Sequence, residues 1–209
     1  MTASQGPVVA AFDVDGTLTT RDCVAPFLYR TVGPHAGLAL LRQPFSVSRA
    51  LVRRDRDSIK AVVCKAFAGM DAKAVDAQGV SFAQEIERRW LRPDTFARLQ
   101  QHRELGHAVV LVSASLDPYL VPFGSSIGAT GVVCTELERD PQGALTGQLA
   151  GPNCRGPEKV RRFERWLAAS GMADAVVWAY GDSAGDDALL ARADHPVCVG
   201  RKPVVAHPL

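Results

Sequence analysis

Phe12-Asp13-Val14-Asp15-Gly16-Thr17-Leu18-Thr19 is the stretch on which the reading of this chain turns. It follows a short apolar run, Val8 to Ala11, that reads as a buried strand. Alternation along a strand puts Asp13 and Asp15 on one face. If the chain breaks out of the strand there, both carboxylates point at one spot beyond its end. Gly16 lets the backbone turn sharply, and Thr17 offers a hydroxyl and N–H groups to an anion. Two acids that close repel each other unless a divalent cation lies between them. The stretch therefore predicts a Mg²⁺ site at the C-terminal end of a strand, with one carboxylate free to attack. D-x-D-G alone also fits a calcium loop or an ordinary acidic corner. The rest of the chain must then supply a hydroxyl, a lysine and more acid.

The chain has 209 residues, the size of one ordinary domain or of a core carrying a smaller insertion. With 47% hydrophobic and 22% charged residues it can bury a globular core. A net charge of +2 is too near neutral to argue for nucleic acid or an anionic membrane surface. No apolar run reaches the roughly 18 residues of a membrane-spanning helix. The start, Met1 to Gly6, has neither a basic region nor a signal-type apolar segment. The expectation is a cytoplasmic protein without stable membrane insertion. Cys23, Cys64, Cys134, Cys154 and Cys198 are scattered, odd in number and free of C-x-x-C spacing, so they are expected to be reduced thiols that pack.

After Thr19 the strand signal disappears until about residue 90. Asp22 can cap a helix through Val24, Phe27, Leu28 and Val32, which Gly33-Pro34 stops. Leu38, Leu40, Leu41 and Phe45 form an apolar patch interrupted by Pro44. Asp57 or Ser58 is placed to cap a helix bearing Ile59, Val62, Val63 and Phe67, and a further helix fits Ala72 to Trp90. This block predicts a small helical cap over residues 21–90, inserted into a core made of 1–20 and 91–209. The alternative is helices that simply flank the sheet.

From Arg92-Pro93 the chain alternates: helix 94–105, strand 108–112, helix 118–123, strand 131–134, a hairpin over 137–149, helix 158–170, strand 175–179, a short helix after Gly185 and strand 196–199. That pattern predicts an α/β fold, a Rossmann-like parallel sheet with helices on both faces and the helical cap after the first strand. Such sheets bind ligands beyond the strand C-termini. Ser113-Ala114-Ser115 closes one strand and forms an anion cradle with the next helix start, although either serine also suits a helix cap. Gly181-Asp182-Ser183-Ala184-Gly185-Asp186-Asp187 closes another, and its acids need a cation or a helix N-terminus to be tolerated.

These pieces resemble the haloacid dehalogenase superfamily. Asp13-Val-Asp15-Gly-Thr-Leu-Thr is similar to its first motif, Ser113 to its second, Lys159 to its third and Gly181 to Asp186 to its fourth, G-D-x-x-x-D. The resemblance implies a phosphatase in which Asp13 is the nucleophile and Asp15 the general acid/base. It implies Mg²⁺ held by Asp13, the backbone carbonyl of Val14 and Asp182, with Asp186 as a ligand or an acid behind one. It implies phosphate contacts from Gly16, Thr17, Ser113 and Ala114, and charge balance from Lys159, with Arg155 a competing cation and Arg161 a lesser one. Asp15 favours a phosphatase over a dehalogenase, which needs no acid there.

The helical insertion makes the chain similar to subfamily IB, which includes phosphoserine phosphatase and related lipid-phosphate phosphatases. A small phosphomonoester, phosphoserine-like, is the expected substrate. Phosphoserine phosphatases carry a Glu where this chain has Asp22, and a cap arginine for the substrate carboxylate. Arg49, Arg53, Arg54, Arg56, Lys60 and Lys65 are unranked candidates for that cation. Phe27 and Leu28 fit either a lipid tail or, as favoured here, the cap's own core. A phosphorylated receiver or a binding protein on an inactive scaffold is the alternative, against which Asp15, the insertion and the complete motif set all speak.

Overall fold

The computed structural model describes residues 6–33, 56–200 and 204. The first strand, β1 (Val8–Phe12), is almost wholly buried, as an apolar run flanked on both faces must be. It lies at the centre of a five-stranded sheet with β2 (Ala108–Leu116) on one side and β6 (Val176–Gly181) on the other. The edges are β3 (Gly131–Thr135) beside β2 and β7 (His195–Cys198) beside β6. Every pairing in this sheet is parallel. The chain leaves β1 for one side and returns for the other, so strand order reverses at β1. Ligands of such sheets sit in the crevice at that reversal, beyond the strand C-termini.

Helices cover both faces, as expected. On one face Ala10, Phe12, Leu111 and Tyr180 pack against helices α1 (Val24–Val32), α3 (Ala72–Arg89), α4 (Pro93–Glu104) and α5 (Asp117–Ser126). On the other, Val9, Ala11, Val110 and Val177 pack against α6 (Pro157–Ala169) and α7 (Asp187–Arg192). Successive β1 residues thus feed opposite layers, which is strand periodicity made visible. Phe12 stacks on Tyr180 with ring centroids 4.3 Å apart, tying the register of β1 to β6.

The described residues between β1 and β2 hold α1, α2 (Arg56–Cys64), a 3₁₀ turn at Lys65–Phe67, α3 and α4, with isolated bridges but no strand. The two ends of residues 21–90 lie side by side: the Thr20 amide donates to the Trp90 carbonyl (2.8 Å) and the Arg92 amide to that of Leu18 (2.8 Å). Asp57 and Ser58 fall inside α2 instead of capping it. The apolar patch Leu38 to Phe45, Arg49, Arg53 and Arg54 lie outside the described residues. Asp71 caps α3 by accepting the Lys73 amide. α3 packs on α5 so closely that a Cβ on Gly79 would lie 1.9 Å from the Pro118 carbonyl oxygen. Phe27, Phe67 and Phe82 join Tyr119 of α5 in a single apolar cluster.

The expected hairpin is present as β4 (Leu137–Arg139) and β5 (Leu145–Leu149). Its turn is held by Asp140, whose Oδ1 accepts the amides of Gln142 and Ala144. One boundary moves in a way that matters. β2 does not stop at Val112 but continues to Leu116, with a shift in its register against β3 after Val112. Ser113 and Ser115 are therefore strand residues, and Ser115 is not a helix cap. Position Leu116 precedes α5 and makes no side-chain cap.

Candidate active site

Two strand ends and the last part of a third strand deliver candidate residues to one cleft of about 710 Å³. β1 ends directly before Asp13, whose amide still donates to the Tyr180 carbonyl of β6 (2.9 Å). β6 ends directly before Asp182, and β2 carries Ser113. Asp13, Asp182 and Asp186 each offer an oxygen within 4.8 Å of the others. Asp13 and Asp186 are buried, and burial without a countercharge is costly for a carboxylate. Lys159, itself buried, answers both: its Nζ donates to Asp13 Oδ1 at 2.6 Å and to Asp186 Oδ1. The other oxygen of Asp186 takes the amide and hydroxyl of Ser183 (3.1 and 2.8 Å).

The electrostatics leave negative charge in surplus. Burial pushes Asp13 up to about 6 against the pull of Lys159, with Asp186 and Asp15 adding to the rise. Asp182 is raised by desolvation and then by Asp186. Lys159 would be lowered by burial, but Asp13 and Asp186 carry it up to about 12, so it stays charged. One buried ammonium among three clustered acids is short of neutrality by two charges, which fits a divalent cation with oxygen ligands.

Gly16 makes this cluster possible. It has φ +88°, and a Cβ there would fall 2.3 Å from Asp182 Oδ2. Thr17 donates its hydroxyl to Asp182 Oδ1 at 3.3 Å, and Thr95 holds the Thr17 carbonyl at 2.6 Å. The motif turn is thus locked to α4 and to the end of β6. Asp15 is clamped from two sides: its Oδ1 accepts the Cys23 amide (2.9 Å) and its Oδ2 accepts the Ser115 hydroxyl (2.6 Å). Burial raises Asp15 first and Asp22 second, while both donors oppose the rise.

The sequence model of the haloacid dehalogenase-like hydrolases matches residues 10–191. The chain belongs to that family. Protein CicA of Caulobacter vibrioides is 34% identical over 197 residues, which cover 93% of this chain and 87% of CicA. A solved structure of a Bordetella pertussis protein of unknown function is similar with a TM-score of 0.73 at 22% identity, over 90% of this chain and 87% of that one. A substrate-bound phosphoserine phosphatase is similar with a TM-score of 0.60 at 15% identity, over 91% and 84% of the two chains. Those two structures share the fold.

Against the expectations for this hydrolase family, the structure brings Asp13, Asp15, Gly16, Ser113, Ala114, Lys159, Asp182, Asp186 and Asp22 to the lining of the one cleft. Val14 is not among the residues that line this cleft. Its carbonyl accepts the amides of Thr17, Leu18 and Thr19 (3.2, 3.0 and 2.9 Å) and the Thr19 hydroxyl (3.0 Å). These donors tie the Val14 carbonyl into the motif turn. Asp22 is exposed and uses Oδ1 to accept the Ala25 amide at 3.1 Å in the first turn of α1. Arg155 also lines the cleft, whereas Arg161 is bonded outside it to Glu158.

Among the described residues, Lys60 is a candidate cation that reaches the site. From α2 its Nζ donates to the Ala114 carbonyl and, at 3.1 Å, to Asn153 Oδ1. Asn153 in turn donates to Asp57 (2.6 Å) and accepts from Thr135 (2.8 Å), lashing α2 to the end of β3. Lys65 is exposed and does not line the cleft. Asn153 and Ser115 carry no motif signal. Ser115 had one faint clue, its two-residue spacing from Ser113 along a strand taken as too short. The four cysteines Cys23, Cys64, Cys134 and Cys154 are buried and free, and Cys198 is exposed and free. Among the described residues no helix is long and apolar enough to cross a membrane.

Proposed function

We propose that this hydrolase is a Mg²⁺-dependent phosphomonoesterase working through an aspartyl-phosphate. The observation that carries the reading is Lys159 bridging Asp13 and Asp186 beside Asp182, with Asp15 held apart on its own donors. Asp13 attacks phosphorus through a carboxylate oxygen while the ester P–O bond breaks. Asp15 gives its proton to the departing ester oxygen, then takes one from the water that attacks phosphorus and frees Asp13. Burial, and then the charge of Asp22, raise Asp15 above the ordinary carboxylate range and so favour the form that carries the proton. Ser113, its hydroxyl accepting the Ser115 amide at 3.2 Å, and Lys159 supply donors for the phosphoryl oxygens. Asp13, Asp182 and Asp186 would hold the cation, whose chemistry is to neutralise charge on the transferring phosphoryl group.

Residues 21–90 are assigned the role of a cap over this chemistry. Support comes from the adjacency of the segment's two ends and from Lys60 and Asp22, which it contributes to the cleft. The preferred substrate is a small, phosphoserine-like phosphomonoester, with Lys60 facing a substrate carboxylate and Asp22 an amine. A second reading, a phosphate ester with an apolar leaving group, draws on Val24, Leu28, Ile59 and Val63, which form an apolar wall of the same cleft. The fold likeness to phosphoserine phosphatase and the donor set support a phosphatase under either reading.

The test is phosphate release from p-nitrophenyl phosphate, phosphoserine and a lysophosphatidic acid, with Mg²⁺ and with chelator. Turnover that needs Mg²⁺ and is abolished in Asp13→Asn supports the assignment, and the preferred ester selects between the two substrates. A folded, Mg²⁺-binding protein inert on all three refutes it.

A further inference from the structure

The hydrogen bonds around Asp15 run deeper than the cleft. Ser115 Oγ donates to Asp15 Oδ2 at 2.6 Å, and Tyr119 Oη donates to Ser115 Oγ at 2.9 Å. Ser115 and Tyr119 have no exposed surface. Tyr119 is wedged between Phe27 of α1 and Phe82 of α3, with ring centroids 4.9 and 5.3 Å away. A serine hydroxyl carries one hydrogen. With Tyr119 donating into it, Ser115 is oriented to give that hydrogen to Asp15. The second clamp on Asp15 is the Cys23 amide, which has no capacity to accept. The Cys23 thiol also reaches the carboxyl, but its sulfur is only a weak acceptor, so the strong partners of Asp15 are both donors. A proton carried by Asp15 finds no strong acceptor among them and is directed to the side of the carboxyl that lines the cleft.

We infer that Ser115 and Tyr119 are positioning residues that aim the Asp15 proton at the ester oxygen. Tyr119 acts by keeping Ser115 a donor; without its hydroxyl, Ser115 is free to turn and accept the proton itself. The inference rests on the phosphatase reading, with Asp15 as general acid. It adds that the acid's aim is set from α5, one strand away from the motif that contains Asp15, and that the aromatic packing of α1 and α3 around Tyr119 holds the chain in place.

A general acid matters most when the leaving group is a poor one. An alkoxide needs the proton as the P–O bond breaks, whereas p-nitrophenolate departs without it. The experiment compares kcat/KM for an alkyl phosphate and for p-nitrophenyl phosphate in the parent, S115A, Y119F and D15N, with melting temperatures recorded alongside. kcat/KM reports the step in which the leaving group departs, whichever later step limits kcat. D15N sets the scale and should lose about a hundredfold or more on the alkyl ester, and much less on the aryl one. S115A and Y119F should show the same selective loss, about tenfold or more on the alkyl ester against less than about threefold on the aryl one. Y119F keeps the ring and its packing, so it carries the test if S115A fails to fold. Equal losses on both esters in S115A and Y119F, or none, with D15N selective, would overturn the positioning role alone. Equal losses in D15N would overturn the general-acid reading beneath it.

Discussion

At the scale of single residues, Gly16 and His102 make the sharpest demands. Gly16 combines a left-handed φ with Asp182 where a side chain would be. Gly16→Ala should push the Asp182 carboxylate aside and lower kcat/KM by about a hundredfold, since displacing a catalytic group by about an ångström costs that much. Steady-state kinetics with Mg²⁺ titration would show it, with weaker Mg²⁺ activation as the accompanying sign. His102 is buried, its Nε2 paired with the Tyr180 hydroxyl (2.9 Å) and its Nδ1 with Nδ1 of His107 (2.8 Å). Burial, then His107 and Arg98, lower it to about 3, so it is neutral in the folded chain. The unfolded chain takes a proton near 6.5 and the folded one does not, so this group's stabilisation is complete above 6.5 and is lost as pH falls towards 3. Between pH 7 and 5 the loss should be about 1–2 kcal/mol. Urea melts of the parent and His102→Gln at both pH values would show a smaller pH slope in the variant. Nothing in the sequence around His102 announced this, because its partners come from 5 and 78 residues away.

At the scale of elements, the register of α3 on α5 is set by Gly79 against the Pro118 carbonyl. Gly79→Ala, although favourable to an isolated helix, should destabilise the protein by about 1–3 kcal/mol by forcing the helices apart. Thermal melting would register the loss. The three central strands β1, β2 and β6 were legible because each is an apolar run leading into a motif, and a parallel sheet buried on both faces leaves that mark. The capping bond of Asp22 to the first turn of α1 was legible, since capping is local chemistry, whereas Asp71 was not read as a cap. The end of β2 was not legible, because Ser113-Ala114-Ser115 looks like a turn until pairing with β3 carries the strand on to Leu116. With the strand read as ending at Val112, Ser115 looks like a helix cap and not like a donor to Asp15. Lys60 was one of six equivalent cations in sequence, and the path of α2 is what brings it to the cleft.

At the scale of the whole molecule, three acids gathered by two strand ends around one lysine should make the folded chain a receptor for a divalent cation. At Mg²⁺ concentrations about a hundredfold above its dissociation constant, binding should add about 2.7 kcal/mol to stability, or about 5–10 °C in melting temperature. A thermal melt with and without Mg²⁺ would show this, and Asp182→Asn should shrink the shift.

The central claim is that Asp13 becomes phosphorylated during turnover. It is tested most directly by acid-quenching the enzyme with Mg²⁺ and a ³²P-labelled phosphomonoester that it turns over, then mapping the labelled peptide. The account predicts label on the peptide containing Asp13, released by hydroxylamine as an acyl phosphate is, and absent from Asp13→Asn. Full turnover by Asp13→Asn, or label on another residue, would contradict it.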